Sequence, residues 1–334
     1  PKVLHTLAGR SLLAHVVATA REIAAEQICV VHGYGGDRVK AALSGKGLKY
    51  VLQTPQLGTG HALQQALPRL TKAPVTLVLY GDVPLVRADT LRTLLDAAEG
   101  CVAVLTADMD DPGGYGRILR NKSGRVTGIV EEKDATAAQR RIREINTGIM
   151  ALPTARLKPW LAQLKNKNSQ KEYYLTDVIA LAVKDGVPVF GIKAADAGET
   201  LGVNSRAQLA QLERTYQWQQ ASRLLDAGVT LVDPLRFDLR GLLECGRDVQ
   251  IDVNCIFEGA VELADGVSIG AHCVLKNVVI GAGTRIEPFS HLDGAQIGAQ
   301  CRIGPYARIR PGTRLAAEVH IGNFVEVKAS ELGD

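Results

Sequence analysis

The stretch IGAQCRIGPYARIRPGTRL, Ile297–Leu315, decides the fold of the C-terminal part of the chain. An aliphatic residue stands at every sixth position within it, at Ile297, Ile303, Ile309 and Leu315. Neither an α-helix, with about 3.6 residues per turn, nor a meander of hairpins at about 8–12 residues per strand repeats in this way. The spacing is typical of a parallel β-helix, in which each six-residue unit forms one flat side of a triangular coil and the aliphatic side chain points inward.

The six-residue spacing extends well beyond this stretch. Phe257 fills one of the inward positions, and two of the steps are five residues long instead of six. We predict a left-handed parallel β-helix of hexapeptide repeats, incomplete at its C-terminal end, over residues 228–334. The other inward positions are Ile251, Leu263, Ile269, Leu275, Ile280, Ile286, Leu292, Ile321 and Val327, with the short steps at 275–280 and 292–297.

Residues 1–205 have a different pattern, in which helix-like and strand-like segments alternate and Ser11 is expected to cap the first helix. The run Val75–Tyr80 is almost continuously apolar, as expected for a central parallel strand covered on both faces. This alternation predicts an α/β domain of Rossmann-like architecture with a mostly parallel sheet. A polar segment over 125–134 suggests a substrate-facing hairpin or lid. Residues 206–227, free of Gly and Pro, predict a long helix that links the two domains.

The composition of the 334 residues excludes several classes of protein. A hydrophobic fraction of 46% and a formal net charge of +4 exclude intrinsic disorder. No run of about 18 apolar residues is free of charges and of Gly or Pro clusters, so we expect no membrane segment and no membrane partner. Lys and Arg (39) are interspersed with Asp and Glu (35), which gives no reason to expect nucleic-acid binding. Six cysteines without a CxxC pair and a start without a signal-peptide pattern predict a cytoplasmic protein with reduced thiols.

The segment Tyr80-Gly-Asp-Val-Pro-Leu85 is the strongest candidate for chemistry. Asp82 follows a predicted buried strand, and open α/β sheets bind their ligands at the carboxyl ends of such strands. A Mg²⁺ ion held by one or two protein oxygens together with substrate phosphates would fit an exposed aspartate there. The alternative is that Asp82 only caps the next helix. Pro84 weakens that interpretation, because the helix must then begin several residues later.

Two glycine-rich segments have a structural explanation beside the functional one. The turn Gly58–Ala62 after Gln53 brings backbone amides close to a ligand, but a tight turn explains its glycines equally well. Its His61 is expected to be a hydrogen-bonded turn residue and not a catalyst. The loop Asp111–Ile118, taken alone, is explained best as a plain surface loop.

Two asparagines are also candidates for ligand binding. Asn146 is flanked by apolar positions, and a partly buried amide needs partners that a sugar hydroxyl or amide can supply. Asn204 stands just before the predicted linking helix, where it can equally be the cap of that helix. The sequence alone leaves both interpretations of Asn204 open.

No Ser/His/Asp or Cys/His arrangement for a covalent nucleophile stands out in the sequence. The motifs instead contain turns with backbone amides, one or two oxygen ligands for a metal, and few general bases. This set suits phosphoryl or nucleotidyl transfer, in which positioning and charge neutralisation supply most of the catalysis.

The order of the motifs along the chain carries a family resemblance. They are PKVL (Pro1–Leu4), LGTGHA (Leu57–Ala62), LYGDVPL (Leu79–Leu85), DDPGGYGRI (Asp110–Ile118), GIVEEKDA (Gly128–Ala135), EINTGI (Glu144–Ile149), EYYLTDVI (Glu172–Ile179) and GVN (Gly202–Asn204). In this order they resemble the sugar-nucleotide pyrophosphorylase family. Joined to a hexapeptide β-helix, they are similar to the bacterial bifunctional N-acetylglucosamine-1-phosphate uridylyltransferase / glucosamine-1-phosphate N-acetyltransferase family over essentially the whole chain.

This resemblance implies an enzyme, a Mg²⁺-dependent nucleotidyltransferase. Its substrates would be UTP and N-acetylglucosamine-1-phosphate, and its products UDP-N-acetylglucosamine, for peptidoglycan and lipopolysaccharide precursors, and pyrophosphate. The implied catalytic residues are Lys2 on the nucleotide phosphates and the metal ligands Asp82 and Asn204. The implied substrate contacts are Gln53, Gly58 and Thr59 for uracil, Tyr80, Gly81 and Asp82 at the nucleotide–sugar junction, and Gly116, Glu131 and Asn146, with Tyr174 and Thr176 nearby, for N-acetylglucosamine.

The family's second activity is the acetyl-CoA-dependent N-acetylation of glucosamine-1-phosphate in the β-helix. Arg310 and Lys328 match residues that bind the sugar phosphate of the acetyl-acceptor site, and each directly follows an inward aliphatic residue. The family's acetyltransferase histidine and acetyl-CoA contacts fall after Asp334, and its Gly-rich triphosphate loop falls before Pro1. We therefore expect acetyl transfer only from the complete protein. Because the family is trimeric, we expect a homotrimer formed through the β-helix.

Three alternatives stay open at this point. The first is a pyrophosphorylase for another base or sugar, such as ADP-glucose or dTDP-glucose, although the turn after Gln53 favours uracil. The second is a pure hexapeptide acyltransferase, which leaves the first 200 residues or so unexplained. The third is a non-catalytic scaffold in which the β-helix serves assembly.

Overall fold

The computed structural model describes residues 1–43, 47–71 and 73–333. Within these ranges, contacts between residues divide the chain into two compact units. Helices and strands alternate in the first unit, whereas the second consists mainly of short parallel strands that follow one long helix. None of the described helices is long and apolar enough to cross a membrane.

The boundaries of the two units differ from the predicted domains at Thr6–Arg10 and at residues 206–227, which were predicted to form a separate linking helix and which belong to the second unit. The first unit contains Pro1–His5 and Ser11–Asn204, and the second contains Thr6–Arg10 and Ser205–Asp334. Thr6–Arg10, which carries the strand β1 (Thr6–Leu7) and leads into its partner β2 (Arg10–Ser11), was expected in the first domain. It joins the second unit because the N–H of Ala8 donates a 2.8 Å hydrogen bond to Oε2 of Glu213.

In the first unit, helices pack against a mixed sheet around an apolar core. The first helix begins after Ser11, whose hydroxyl accepts a 3.2 Å hydrogen bond from the N–H of Ala14, as predicted. The helices are α1 (Leu12–Glu22), α2 (Gly36–Ala42), α3 (Thr59–Ala66), α4 (Ala88–Asp96), α5 (Ala137–Arg140), α6 (Thr154–Leu161) and α7 (Asp177–Lys184). The strands are β3 (Ile28–His32), β4 (Leu48–Leu52), β5 (Val75–Val78), β6 (Val102–Asp108), β7 (Gly116–Arg120), β8 (Val126–Val130), β9 (Glu144–Pro153) and β10 (Val189–Lys193).

Four strands of the main sheet share one direction, as the prediction of a mostly parallel sheet requires. β5, β6 and β7 each pair antiparallel with β9, and β10 pairs parallel with β6. β9 therefore lies among these strands and runs against them, and β8 also runs against its partner β7. β7 and β8 form the hairpin that the polar segment indicated. β3 and β4 form a separate parallel pair within the described residues.

The prediction for Val75–Tyr80 is wrong in part. β5 ends at Val78, pairs antiparallel with β9, and is half-buried along its whole length. Its pairing is antiparallel because its partner β9 runs against it. It is not covered on both faces, because a cavity of about 730 Å³ lies along it. This cavity is lined largely by aliphatic side chains of β3, β5, α1 and α3.

The second unit is the predicted β-helix, preceded by the long helix α8 (Arg206–Asp226). Its coils pair in parallel, so that Ile269 lies beside Ile286 and Ile286 beside Ile303. The strands are β11 (Thr230–Leu231), β12 (Phe237–Cys245), β13 (Gln250–Ile251), β14 (Cys255–Leu263), β15 (Ser268–Ile269), β16 (Val274–Ile280), β17 (Arg285–Ile286), β18 (His291–Asp293), β19 (Gln296–Ile297), β20 (Arg302–Ile303), β21 (Arg308–Ile309), β22 (Arg314–Leu315), β23 (His320–Ile321), β24 (Glu326–Val327) and β25 (Glu331–Leu332).

The interior of the β-helix confirms the six-residue pattern. Every predicted inward residue from Ile251 to Val327 is at most 9% exposed. Cys255, Cys273 and Cys301, each four positions after an inward residue, are buried as well. A register shift between β14 and β16 accommodates the first short step of five residues. The pattern therefore predicted which side of each strand forms the core.

Candidate active site

Three polar side chains from distant parts of the chain meet at one point in the first unit. Nζ of Lys2 lies 2.6 Å from Oδ2 of Asp82 and 2.7 Å from Oδ1 of Asn204. Asp82 follows β5, and its carbonyl accepts a 3.0 Å hydrogen bond from the N–H of Val203. A carboxylate oxygen and an amide oxygen are thereby held beside each other and converge on a single positive charge.

Neither Asp82 nor Asn204 acts as a helix cap. α4 begins only at Ala88. The cap of α8 is Ser205, whose hydroxyl accepts a 3.1 Å hydrogen bond from the N–H of Gln208. The structural alternative that the sequence left open is therefore excluded for both residues.

The N-terminus of α4 is held by a buried carboxylate that the sequence analysis missed. Glu199 is 0% exposed, and its Oε2 accepts a 2.9 Å hydrogen bond from the N–H of Arg87. The hydroxyl of Thr90 donates to both carboxylate oxygens at 2.9 Å. Glu199 thus joins the segment that precedes Asn204 to the helix that follows Asp82. No local signal identifies this contact, since Glu199 and Arg87 are 112 positions apart.

The LGTGHA turn is bound to the EYYLTDVI segment by backbone hydrogen bonds. The N–H of Tyr173 donates to the carbonyl of Leu57, and the N–H of Gly60 donates to the carbonyl of Tyr173, both at 2.8 Å. A Cβ atom at Gly58, where φ is +100°, would lie 2.8 Å from the same Tyr173 carbonyl. The close approach of this neighbouring segment is therefore one reason for the glycines.

Gln53 contacts this turn from the end of β4. Its Nε2 donates a 2.9 Å hydrogen bond to the carbonyl of Gly58 and lies 3.2 Å from Nδ1 of His61. The other ring nitrogen of His61 lies 3.0 Å from Nε2 of Gln65. His61 is thus hydrogen-bonded, as expected, but it lies in the first turn of α3 and not in the turn before it.

Tyr80 brings three of the motifs together. Its ring packs on Gly148, where a Cβ atom would lie 2.7 Å from Cε2 of the ring. Burial raises the pKa of Tyr80 to about 12, and a hydrogen bond with the side chain of Thr59 opposes that shift. LYGDVPL, LGTGHA and EINTGI therefore meet around one phenol that stays protonated at neutral pH.

Glu131, Gly116 and Asn146 also lie close together. A Cβ atom at Gly116 would lie 3.4 Å from Oε2 of Glu131, and Gly116 pairs with Asn146 across β7 and β9. The hydroxyl of Thr176 donates a 2.9 Å hydrogen bond to Oε1 of Glu131. Asn146 is 8% exposed, and its Oδ1 accepts a 3.0 Å hydrogen bond from the N–H of Gly148.

The carboxyl group of Glu131 is strongly influenced by its surroundings. Burial raises its pKa, the hydrogen bond from Thr176 lowers it, and the nearby carboxylates, first that of Asp177, raise it further. Tyr174 lies in the same region and donates a 3.3 Å hydrogen bond to Oδ2 of Asp134. The first unit therefore places both hydrogen-bond donors and hydrogen-bond acceptors around Gly116 and Glu131.

The loop Asp111–Ile118 contributes a residue that the sequence analysis did not select. Tyr115 forms a hydrogen bond with the backbone of Gly202, close to Asn204. Burial raises the pKa of Tyr115, the hydrogen bond lowers it, and the charge of Asp82 raises it. Its position next to Gly116 in the DDPGGYGRI motif is the one sequence signal that could have identified it.

In the second unit, Arg310 and Lys328 lie on neighbouring coils, because the residues before them, Ile309 and Val327, pair in register. Nη1 of Arg310 donates a 2.9 Å hydrogen bond to Oε1 of Glu326. This hydrogen bond, with the positive charges of Arg310, Arg308 and Lys328, lowers the pKa of Glu326. An anion at this corner would meet both predicted cations, with Glu326 as a competing partner for Arg310.

Family models match both parts of the chain. Residues 1–229 match the family model described as a MobA-like NTP transferase domain, and residues 241–332 match a GMPPB C-terminal domain. The fold resembles that of a UDP-glucose pyrophosphorylase solved in complex with UDP-glucose, with a TM-score of 0.53 and 16% identity over 66% of this chain and 91% of that one. The fold and the site together define a nucleotidyltransferase.

The particular family follows from curated relatives that are each called bifunctional protein GlmU. The relative from Aromatoleum aromaticum is 59% identical over 100% of this chain and 74% of its own length. Those from Burkholderia multivorans and Bordetella parapertussis are 58% and 59% identical over 100% and 99% of this chain, and 74% of each relative is covered. The chain belongs to the GlmU family, which confirms the resemblance carried by the order of the motifs and the predicted enzyme class.

Proposed function

We propose that the first unit transfers the uridylyl group of UTP to N-acetylglucosamine-1-phosphate. The phosphate of the sugar attacks the α-phosphorus of UTP, which gives UDP-N-acetylglucosamine and pyrophosphate. The observation that carries the proposal is the convergence of Asp82 and Asn204 on the ammonium of Lys2. Because a sugar phosphate is already a nucleophile, the reaction needs charge neutralisation and positioning and no general base.

A Mg²⁺ ion fits the donor set of this site. The oxygens of Asp82 and Asn204 are hard ligands, and both lie within 2.7 Å of one cationic nitrogen, so they can approach a common ion. In the described part of the chain, no group of three or more His, Cys, Asp or Glu residues could hold a metal. Two protein oxygens leave the other positions to water and substrate phosphates, which is how Mg²⁺ is usually bound at nucleotides. When bound, the ion would neutralise charge on the α-phosphate and the pyrophosphate.

Lys2 connects nucleotide binding with metal binding. Its ammonium is held by Asp82 and Asn204, so a triphosphate would compete for that ammonium and a cation would compete for the two oxygens. Binding of the nucleotide and binding of the metal therefore both require Lys2 to separate from Asp82 and Asn204. We expect each to strengthen the other.

The surrounding residues provide the two substrate subsites in this proposal. Tyr80 and Gly81 line the junction between nucleotide and sugar, next to Asp82. The uracil contacts are Gln53, Gly58 and Thr59, and the contacts of the N-acetylglucosamine moiety are Gly116, Glu131 and Asn146, with Thr176 and Tyr174 nearby. What supports this division is that Tyr80 contacts Thr59 of the first group and packs on Gly148, two residues after Asn146 of the second.

We propose three further properties. Arg310 and Lys328 would bind the phosphate of glucosamine-1-phosphate in the acetyl-acceptor site of the complete, acetyl-CoA-dependent protein. The β-helix would form a homotrimer. The protein would act in the cytoplasm, where thiols stay reduced, and all six of its cysteines, each within the described ranges, are free.

The test of uridylyl transfer is the release of pyrophosphate from UTP and N-acetylglucosamine-1-phosphate in the presence of Mg²⁺. We expect release that EDTA abolishes. Asp82→Asn should reduce turnover on the order of 100-fold and weaken uridine-nucleotide binding far less, because Asp82 would hold the ion that neutralises the negative charge developing on the phosphates. Asp89→Asn is the matched control, since Asp89 is an exposed aspartate in the first turn of α4.

Two results would contradict the proposal. Equal losses of turnover and of uridine binding in Asp82→Asn would rule out the metal-ligand role of Asp82. Absence of release from this chain, and also from a version carrying the residues that precede the PKVL motif in the full-length relatives, would rule out the activity itself. Preference for ATP or dTTP over UTP would favour the alternative of a different sugar nucleotide.

A further inference from the structure

An ion pair between a buried guanidinium and a partly exposed carboxylate adjoins two of the residues proposed to contact the sugar. The side chain of Arg117 is 2% exposed, and its Nη2 lies 3.2 Å from Oε2 of Glu132. Arg117 follows Gly116 in the chain, and Glu132 follows Glu131. Burial of a guanidinium is costly unless it is paired and hydrogen-bonded, so the partners of Arg117 determine how this region can be arranged.

These partners come from three different segments. Arg117 donates hydrogen bonds to the carbonyl of Tyr115 in the loop before β7 and, at 3.4 Å, to the carbonyl of Arg140 at the end of α5. Oε2 of Glu132, in the turn after β8, also accepts a 2.5 Å hydrogen bond from the N–H of Gly114. One guanidinium and one carboxylate therefore tie together the loop that contains Gly114 and Tyr115, the turn that contains Glu132, and α5.

Arg117 does not reach substrate, because it is buried, and stability alone does not account for its ion pair. Replacing a buried ion pair with apolar residues of similar volume often costs no stability. In the part of the chain that the structure describes, Nε of Arg117 is also buried without a hydrogen-bond partner. A network that is not optimal for stability points to a role in arranging its neighbours.

We propose that Arg117 and Glu132 are positioning residues that set the recognition of the sugar, a proposal that rests on the proposed function. They hold Gly116 opposite Glu131, where little space is left between the two. A Cβ atom at Gly116 would lie 3.0 Å from Cγ2 of Ile129 and 3.4 Å from Oε2 of Glu131. A small movement of the loop or the turn would therefore change the contacts available to the sugar without affecting those available to the nucleotide.

The test compares the dissociation constants of UDP-N-acetylglucosamine and UDP, which differ by the sugar alone. In Arg117→Lys the charge remains, but a single ammonium cannot bind Glu132 and both carbonyls with the geometry of a guanidinium. We expect UDP-N-acetylglucosamine to bind about 10-fold more weakly, since misplacement of a contact by a fraction of an ångström is costly. UDP should bind as it does to the wild type. Glu132→Gln should show the same selective effect as Arg117→Lys. UDP-N-acetylglucosamine should bind more weakly, and UDP should bind as it does to the wild type.

Arg120→Lys is the matched control. Arg120 lies on the same strand, and its guanidinium binds Glu144 through two hydrogen bonds of 2.6 and 2.7 Å, away from Gly116 and Glu131. We expect this variant to bind both ligands as the wild type does. Thermal unfolding of every variant tests whether it is folded.

The outcomes separate the two proposals. If the wild type binds both ligands and Arg117→Lys retains both affinities, or loses both equally, the positioning role is wrong and the proposed function stands. If the wild type binds neither ligand, and a version carrying the residues that precede the PKVL motif in the full-length relatives binds neither as well, the proposed function is wrong, and the positioning role falls with it.

Discussion

Glu131 and Glu144 are two carboxylates of the first unit whose surroundings act in opposite directions. Burial, more than any other cause, raises the pKa of Glu131. The hydrogen bonds from Arg120 lower the pKa of Glu144 despite its partial burial. The fold therefore disfavours the charged form of Glu131 and favours the charged form of Glu144. At the scale of single residues, the candidate site therefore contains a carboxyl group whose charged form the fold disfavours.

This difference predicts opposite effects of neutral substitutions. Since the pKa of Glu131 is higher in the folded than in the unfolded protein, its charged form destabilises the fold as pH rises through that interval. Glu131→Gln should raise the free energy of unfolding at about pH 8, and the gain should shrink at about pH 4, below the ordinary glutamate pKa of about 4.3. Urea denaturation at both pH values measures the difference.

Glu144→Gln is the control with the opposite sign. Its carboxylate is favoured in the fold, so its contribution is present above the unfolded pKa and is lost as pH falls through the lower, folded pKa. This substitution should lower the free energy of unfolding at about pH 8. A destabilised Glu131→Gln protein at that pH would contradict the role of burial.

At the scale of elements, α4 is capped from a distant part of the chain. Its own first residues provide no side-chain cap, and Glu199 accepts hydrogen bonds from Arg87 and Thr90 in its place. A carboxylate at a helix N-terminus is favoured by the unpaired N–H groups and by the helix dipole. Because Glu199 lies in the segment that leads to Asn204, the cap of one helix also arranges the candidate metal ligands.

We therefore predict that Glu199→Ala destabilises the protein by about 1–3 kcal/mol, because buried donors are left unpaired. Glu199→Gln keeps an acceptor and should cost less. Chemical denaturation measures both, and hydrogen exchange should show faster opening of the first turn of α4. The comparison is Asp89→Ala, a substitution of an exposed residue in the same turn. A loss of less than about 0.5 kcal/mol for Glu199→Ala would show that the hydrogen bonds of Glu199 do not stabilise α4 measurably.

At the scale of the whole molecule, the β-helix is regular on its outside as well as in its core. One corner of successive coils carries His272, Phe289, Tyr306 and Phe324. Their rings stack with centroids 4.8, 5.0 and 5.2 Å apart. The parallel pairing of the coils repeats the same residue position along the axis, which produces such a column and flat sides between the corners.

Flat, repeated sides are suited to closed symmetric assembly, and we predict that the protein is a trimer in solution. An end coil also presents unpaired strand edges, and pairing of such edges between molecules is the competing form of association. Sedimentation equilibrium at micromolar concentration distinguishes the two, since edge pairing gives an open series of masses and not a single trimer. A monomer at that concentration would contradict the prediction.

The sequence by itself determined the features that depend on neighbouring residues. The six-residue spacing predicted the inward side of each β-helix strand, since period and burial are local properties of a repeating coil. The order of the motifs predicted the nucleotidyltransferase class, and the capping role of Ser11 followed from its residue type and position. Asp82 was selected because it follows an apolar run.

Only the tertiary structure decided which distant residues meet. It placed Lys2 between Asp82 and Asn204, made Glu199 the cap of α4, and buried Arg117 behind the proposed sugar contacts. It also inserted β9 against the direction of its neighbours. These contacts join residues up to 202 positions apart. They depend on the path of the whole chain, which local propensity and spacing do not encode.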